Sequence, residues 1–216
     1  MSQSRLSEFL AASPCPFAQR AAVPLGCSWS DPNPTPARLD DLAARLSRFS
    51  ADASQDAWVL EIQHDRSLQS LAGAGSLLRS TLEGLRQRDP SVSRPLTDGI
   101  EDPDWDFDFQ GLSYFISFFG SLYPRWHSRY SGFEETSFLL FQPERGFRRF
   151  GVSSARPERS QLSQRVHQLF ARRGKSYDLS LNTAAPKSFR YLKPVHSGEP
   201  PIAWWRSAPG PPSAER

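Results

Sequence analysis

Cysteine is scarce in this chain. Its 216 residues include two, Cys15 and Cys27, which lie twelve positions apart. A single pair with this spacing provides neither a disulfide framework nor the ligands of a zinc knuckle. We therefore expect both cysteines to be reduced thiols in or near the hydrophobic core.

Long apolar runs and lysine-rich runs are also missing. The longest apolar stretch, residues 112–122, is interrupted by serines and a glycine and is too short to cross a bilayer. The N-terminus lacks the apolar centre of a signal peptide, so we expect a cytoplasmic protein with no membrane partner. The net charge of +3 and the pI near 9.1 permit nucleic-acid binding. Because aromatic and basic residues do not alternate as in RNA-binding motifs, we expect no nucleic-acid partner.

Signature motifs of common enzymes are absent. The chain has no glycine-rich phosphate loop, no G-x-S-x-G elbow and no H-E-x-x-H helix. The histidines, at positions 64, 127, 167 and 196, are too scattered to suggest a zinc site by spacing. Motif spacing alone therefore indicates no reaction.

Apolar residues recur at helical spacing in three long segments. They predict helices around Leu39–Phe49, Leu68–Leu85 and Leu162–Phe170. Gly73 and Gly75 fall inside the second segment, so we expect that helix to begin only near residue 76. A shorter helix is predicted before Pro14, and the proline-rich stretch of residues 24–36 is predicted to be a loop.

Four segments have the composition of strands. They are residues 58–62, 105–109, 112–119 and 137–141, and the last two are plausible antiparallel neighbours. Gly111 permits a tight turn between the second and third segments. This order of elements predicts one α+β domain over residues 1–206, in which three or more helices pack on a mainly antiparallel sheet. Residues 207–216 are rich in proline, glycine and serine and are predicted to be a disordered tail.

The aromatic segment of residues 102–147 contains the best candidate for chemistry. His127 follows two aromatic strands and lies between Trp126 and Arg129. An imidazole beside an aromatic pocket, with arginines near it, is what a heme site requires. The alternative is a loop histidine with arginines lying over a sheet edge, which is the commoner origin of such a pattern.

Cys15 and two aspartates are further candidates for functional residues. The Cys15 thiolate is a second candidate iron ligand, although most free cysteines are simply buried. Asp106 and Asp108 alternate along one strand, so they share a face and can recognise a cationic guanidinium or amine. The alternative for these aspartates is a solvated strand face.

Several segments resemble the YqcI/YcgG family in residues and order. They read Pro14-Cys15-x-x-Ala18, then Leu85-Arg86-x-Arg88-Asp89, then Asp102-Pro103 leading to Phe107-x-Phe109-x-Gly111-x-x-Tyr114-Phe115, with looser matches at Pro124 and Ser128-Arg129. The chain departs from the family where Glu144 replaces the histidine of a Phe-Asn-x-His-x-x-Phe stretch. The Trp-x-Cys-Pro-Phe ending of the family is matched only loosely here, by Trp204-Trp205.

The resemblance implies a heme-dependent oxygenase that hydroxylates a nitrogen, such as that of a guanidino or amino group, on a small polar substrate. Such an enzyme needs O2 and an electron donor. Because Glu144 replaces the family histidine, His127 is the predicted iron ligand and Cys15 the alternative. The remaining predicted roles are propionate pairing by Arg125, Arg129 or Arg145, a pocket lined by Phe115, Phe118, Trp126 and Phe141, and a cationic substrate group held by Asp106 or Asp108.

Two other functions are consistent with the same residues. The first is a non-catalytic module that binds a small molecule or a protein through its aromatic pocket. The Glu144 departure and the absence of catalytic spacing favour it. The second is a heme carrier or sensor without turnover.

Overall fold

The apolar strand segments form one open five-stranded sheet. The strands are β1 (Leu25–Trp29), β2 (Trp58–Gln63), β3 (Phe107–Phe109), β4 (Leu112–Phe119) and β5 (Thr136–Pro143). Their order across the sheet is β1-β2-β5-β4-β3. The β1–β2 pair is parallel and the other three pairs are antiparallel. The predicted α+β class with a mainly antiparallel sheet is therefore confirmed.

The computed structural model describes residues 2–63, 66–91, 94–151 and 156–206. Its α-helices are α1 (Ser2–Ala12), α2 (Pro36–Ala51), α3 (Leu71–Arg86), α4 (Glu144–Arg149), α5 (Arg156–Arg172) and α6 (Leu179–Ala184). No helix within these ranges is long and apolar enough to cross a membrane. The predicted tail and His64 lie outside the described residues.

The main core lies on one face of the sheet, beneath α2 and α3. The leucine stripes of the two helices are fully buried there, against Ile116 and Phe118 of β4 and Phe141 of β5. Burying one such side chain contributes roughly 1.5–3 kcal/mol. The apolar residues whose spacing predicted the helices are thus the residues that form this core.

The opposite face of the sheet is formed by the alternate residues of the same strands. Cross-strand pairing places Ser117 opposite Leu140, and Phe119 opposite Phe138. Phe138 and Leu140 form a smaller apolar cluster with Phe9 of α1, and Phe119 packs against it. Residues of α4, α5 and the segment after α6 also line this face. It is on this side that the candidate site is found.

Two sequence-based predictions were wrong. Residues 25–29 form β1 rather than a loop. A Cβ atom on Gly26 would lie 1.6 Å from Cε2 of Trp58, so glycine is what allows the indole to pack on this strand. Helix α3 begins at Leu71 rather than near residue 76, because the Ser70 side chain caps it by accepting from the Gly73 N–H at 3.1 Å.

The tight turn predicted at Gly111 is confirmed. Gln110 and Gly111 connect β3 to β4 with φ values of 51° and 72°. Positive φ at both central residues is typical of a type I′ hairpin. The Gln110 N–H donates to the Asp89 carboxylate, which fixes the turn against the end of α3.

Candidate functional site

A cavity of about 300 Å³ lies between the second face of the sheet and the elements that cover it. Its floor comes from β4 and β5, and its walls from α1, residues 13–23, α4, α5 and residues 177–193. A volume of this size is at the lower end of the range for small-molecule sites.

Most of the cavity wall is apolar. The apolar lining includes Phe9, Phe17, Phe115, Phe119, Leu140, Phe147, Phe150, Leu162, Val166 and Phe170. Strand alternation explains the floor, because Phe115, Ser117 and Phe119 alternate along β4 with the core residues Ile116 and Phe118. The wall is therefore suited to the apolar body of a ligand.

Arg129 is a buried cation in this mainly apolar lining. Its residue exposure is 8%. Nη2 donates to the Arg190 carbonyl at 3.1 Å, and the guanidinium lies 4.8 Å from the centre of the Phe119 ring. Nη1 is buried and has no hydrogen-bond partner among the described residues. Since buried charges are normally paired, this free donor is the most unusual feature of the cavity.

Lys193 is a second buried cation in the lining, with 2% exposure. Its Nζ lies 4.7 Å from the centre of the Tyr177 ring, and it forms no ion pair within the described ranges. Burial holds the pKa of the Lys193 amine well below its ordinary value, and the Arg129 charge lowers it further, with Asp178 opposing. Burial and the Arg129 charge thus both disfavour the protonated form of Lys193.

A network of hydrogen bonds positions both cations. The Tyr123 hydroxyl donates to the Lys193 carbonyl at 2.8 Å and accepts from the Lys193 N–H at 3.1 Å. The Gly120 N–H donates to the Arg129 carbonyl, and the Arg129 N–H donates to Nδ1 of His127. These hydrogen bonds therefore join the loop after β4, which carries Arg129, to residues 190–194, which carry Lys193.

His127 has a structural position beside the cavity rather than in its lining. Its ring stacks on Tyr123 with centroids 4.3 Å apart. Nδ1 accepts from the Arg129 N–H, and the ring also hydrogen-bonds to the Pro194 carbonyl, so the other nitrogen carries the proton. Burial, followed by the charges of Lys193 and Arg129, lowers its pKa to about 3. Both nitrogens of the predicted iron ligand are thus engaged by the protein.

The structure does not bring the predicted pocket aromatics together. Phe115 lines the cavity, whereas Phe118 and Phe141 lie in the main core on the other face of the sheet. Alternation along the strands separates them. Trp126 is 41% exposed and contacts the rings of His127 and His196.

The three predicted arginines have three different environments. Arg129 lines the cavity, and Arg125 is exposed. Arg145 instead binds the C-terminal end of α2. Its guanidinium donates to the carbonyls of Phe49, Ser50 and Asp52.

The two predicted acidic residues differ in exposure, since the Asp106 side chain is largely buried and the Asp108 side chain remains partly exposed to solvent. Asp106 lines the cavity and is ion-paired with Lys187. Burial raises the pKa of Asp106, and the bond to Lys187 opposes this shift. Asp108 lies outside the lining, accepts from the Ser113 hydroxyl at 2.6 Å and pairs with Arg94 at 3.6 Å. The negative charge of Asp106 is therefore already balanced.

Cys15 lines the cavity as a free thiol. Burial raises its pKa, so the thiol keeps its proton at neutral pH. Iron binds the thiolate, and a protonated thiol is a poor ligand. Neither predicted axial ligand is therefore arranged to hold heme, and no cluster of three His, Cys, Asp or Glu side chains occurs in the part of the chain that the structure describes.

Comparisons with protein-family models, curated proteins and solved structures found no match to this chain. The resemblance to the YqcI/YcgG family stays a prediction, as does the heme-dependent activity that it implies.

Lys193 and Tyr177 are two of the cavity residues that sequence reasoning missed. Both follow the last predicted helix, where no further element was predicted. The sequence contains one signal for Lys193. This lysine lies between Leu192 and Pro194 in an apolar stretch, so it becomes buried when the stretch packs.

Proposed function

We propose that the protein binds a small amphipathic acid. The carboxylate of the ligand pairs with Arg129 and Lys193, and its apolar body fills the phenylalanine-lined cavity. The observation that carries this proposal is the buried Arg129 Nη1, which has no partner among the described residues. This is the small-molecule-binding alternative among the functions predicted from the sequence.

Electrostatics favours an anion over a neutral ligand at this position. Removing an ammonium or guanidinium ion from water costs several kcal/mol unless a partner compensates for it. Here the Arg129 guanidinium has a buried donor without a partner among the described residues, and its charge also disfavours protonation of Lys193. A carboxylate bound here forms an ion pair with Arg129 through Nη1 and accepts a further hydrogen bond from the Lys193 amine.

The rest of the lining supports an apolar body on the ligand rather than a second charged group. Asp106 and Lys187, which also line the cavity, balance each other. The phenylalanines of the wall supply apolar surface, which contributes about 25 cal/mol for each Å² that a ligand buries. An acid with a medium-length hydrocarbon chain has both of the required parts.

Calorimetric titration with octanoate, octanol and octylamine tests the proposal. These ligands share an apolar chain and differ in charge. We expect octanoate to bind tightest, octanol more weakly and octylamine least, because only the carboxylate forms an ion pair with Arg129. Octyl phosphate, as a fourth ligand, separates a site for carboxylates from one for any anion.

The decisive variant is Arg129→Met, which keeps the apolar stem and removes the charge. Losing one charge-assisted hydrogen bond of about 1.5–3 kcal/mol predicts octanoate binding roughly 10- to 100-fold weaker. Octanol affinity should change little. Arg125→Met removes an exposed arginine near the same loop and is the matched control.

Equal affinity of the wild-type protein for octanoate and octanol would contradict the proposal. So would an Arg129→Met variant that folds and keeps the preference for the acid. Arg129→Lys keeps the charge and serves as a second variant if the methionine substitution prevents folding. Purified protein with a Soret band would instead favour the heme-dependent function.

A further inference from the structure

Lysine is rare in this protein, and its three copies lie close together in sequence at positions 175, 187 and 193. The Lys175 amine donates to the Arg125 carbonyl at 3.0 Å. Lys187 is paired with Asp106. Lys193 alone among them is fully buried, and it has no ion pair within the described ranges. Its surroundings therefore differ from those of the other two lysines.

We propose that Lys193 is a nucleophilic amine that forms a Schiff base with a carbonyl group of the bound acid, so that the ligands of this cavity include α-keto acids. This inference rests on the proposed function, because it uses the same cavity and the same carboxylate position on Arg129. It adds a covalent step and a narrower ligand class.

The geometry supports this step. Arg129 and Lys193 are both buried and line the same cavity, and the Lys193 amine lies over the ring of Tyr177, which also lines it. In an α-keto acid the carbonyl carbon is bonded directly to the carboxylate carbon. A carboxylate held on Nη1 of Arg129 therefore carries its carbonyl to the neighbouring amine, and this kind of positioning is a large part of what makes such additions fast.

The protonation state of Lys193 suits a nucleophile. An ammonium ion has no lone pair, and lysines that form Schiff bases are activated by an apolar environment or by a neighbouring cation. Lys193 has both, since burial and the Arg129 charge lower its pKa. Lys187 lacks this activation because its amine is paired with a carboxylate.

The proposed reaction balances without a further reactant. The Lys193 nitrogen adds to the carbonyl carbon and forms a C–N bond, giving a carbinolamine. The former carbonyl oxygen then leaves as water together with the two hydrogens of the neutral amine. A C=N bond remains. The step is a condensation that needs no oxidant, reductant or cofactor.

Reductive trapping with α-ketooctanoate and cyanoborohydride tests the inference. Cyanoborohydride delivers hydride to the C=N bond and makes the adduct permanent. Intact mass then counts the adducts, and peptide mapping locates them. Because Arg129 holds the keto acid in the cavity that Lys193 lines, whereas Lys175 lies outside the lining and Lys187 is paired with Asp106, we expect at least about tenfold more adduct on Lys193 than on either of them.

Matched variants and ligands separate the outcomes. Lys193→Arg keeps a cation and should lose the adduct, whereas Lys175→Arg and Lys187→Arg should keep it. Octanoate has no keto group and should give none. An adduct spread evenly over the three lysines, or none on Lys193, would overturn the inference.

Calorimetry with α-ketooctanoate in the absence of reductant distinguishes the two proposals. If the keto acid and octanoate both bind but no adduct forms on Lys193, the Schiff base is excluded and the acid-binding function stands. If neither acid binds, the proposed function fails as well.

Discussion

Arg145 should act on stability and not on ligand binding. Its Nη1 donates to the Ser50 carbonyl at 2.5 Å, and its Nη2 donates to Phe49 and Asp52 at 2.8 and 2.7 Å. The guanidinium also lies 5.3 Å from the centre of the Phe49 ring. These carbonyls belong to the last turn of α2 and the residue that follows it, where a cation is favoured by the helix dipole.

The expected cost of Arg145→Met follows from these contacts. A hydrogen bond to a charged group contributes about 1.5–3 kcal/mol, but three bonds to one guanidinium are not additive. The cation–π contact adds about 0.5–1 kcal/mol. Because methionine retains part of the packing, we expect the free energy of unfolding to fall by about 2–4 kcal/mol.

Urea unfolding followed by far-UV circular dichroism measures this loss. Arg125→Met is the control and should change the free energy of unfolding by no more than about 0.5 kcal/mol. Arg145→Lys keeps the charge without the planar fork and should fall between the two. The reasoning would be refuted if Arg145→Met unfolds in one cooperative transition and its free energy of unfolding falls by less than about 1 kcal/mol. Weaker octanoate binding at unchanged stability would return Arg145 to the anion-binding role predicted from the sequence.

Two further predictions concern His127 and Gly26. The pKa of His127 is lowered from 6.5 to about 3 in the folded protein, so the unfolded chain binds a proton between these values that the folded protein does not. Stability should therefore fall as the pH drops below about 6.5, by up to about 1.4 kcal/mol per pH unit from this residue, and urea midpoints of His127→Gln should depend less on pH. Gly26→Ala places a Cβ 1.6 Å from the Trp58 ring. We expect it to lower the thermal midpoint through a loss of about 1–3 kcal/mol, and an unchanged midpoint would show that Trp58 can move aside.

The elements predicted from the sequence are those with a strong local pattern. The leucines and Phe49 of α2 recur every three or four residues, and the apolar run of β4 is covered on both faces as expected. Strand β1 was missed because its sequence has no such pattern. It exists because Gly26 accommodates Trp58, a contact between residues that are far apart in the chain.

Grouping residues near His127 in sequence did not predict the candidate site. Neighbours along a strand point to opposite faces, so Phe115 and Phe118 lie on different sides of the sheet. Arg129 was identified as the partner of an anionic group, and the structure places it in the cavity. Lys193 comes from a segment more than sixty residues later, and only the fold brings it to Arg129.

The most direct test of the acid-binding function is a crystal structure of the protein with octanoate. We predict a carboxylate oxygen within hydrogen-bond distance of Arg129 Nη1, the second oxygen facing Lys193, and the hydrocarbon chain against Phe119 and Phe170. A carboxylate placed beside Asp106 and Lys187, or a ligand bound outside the cavity, would contradict the account.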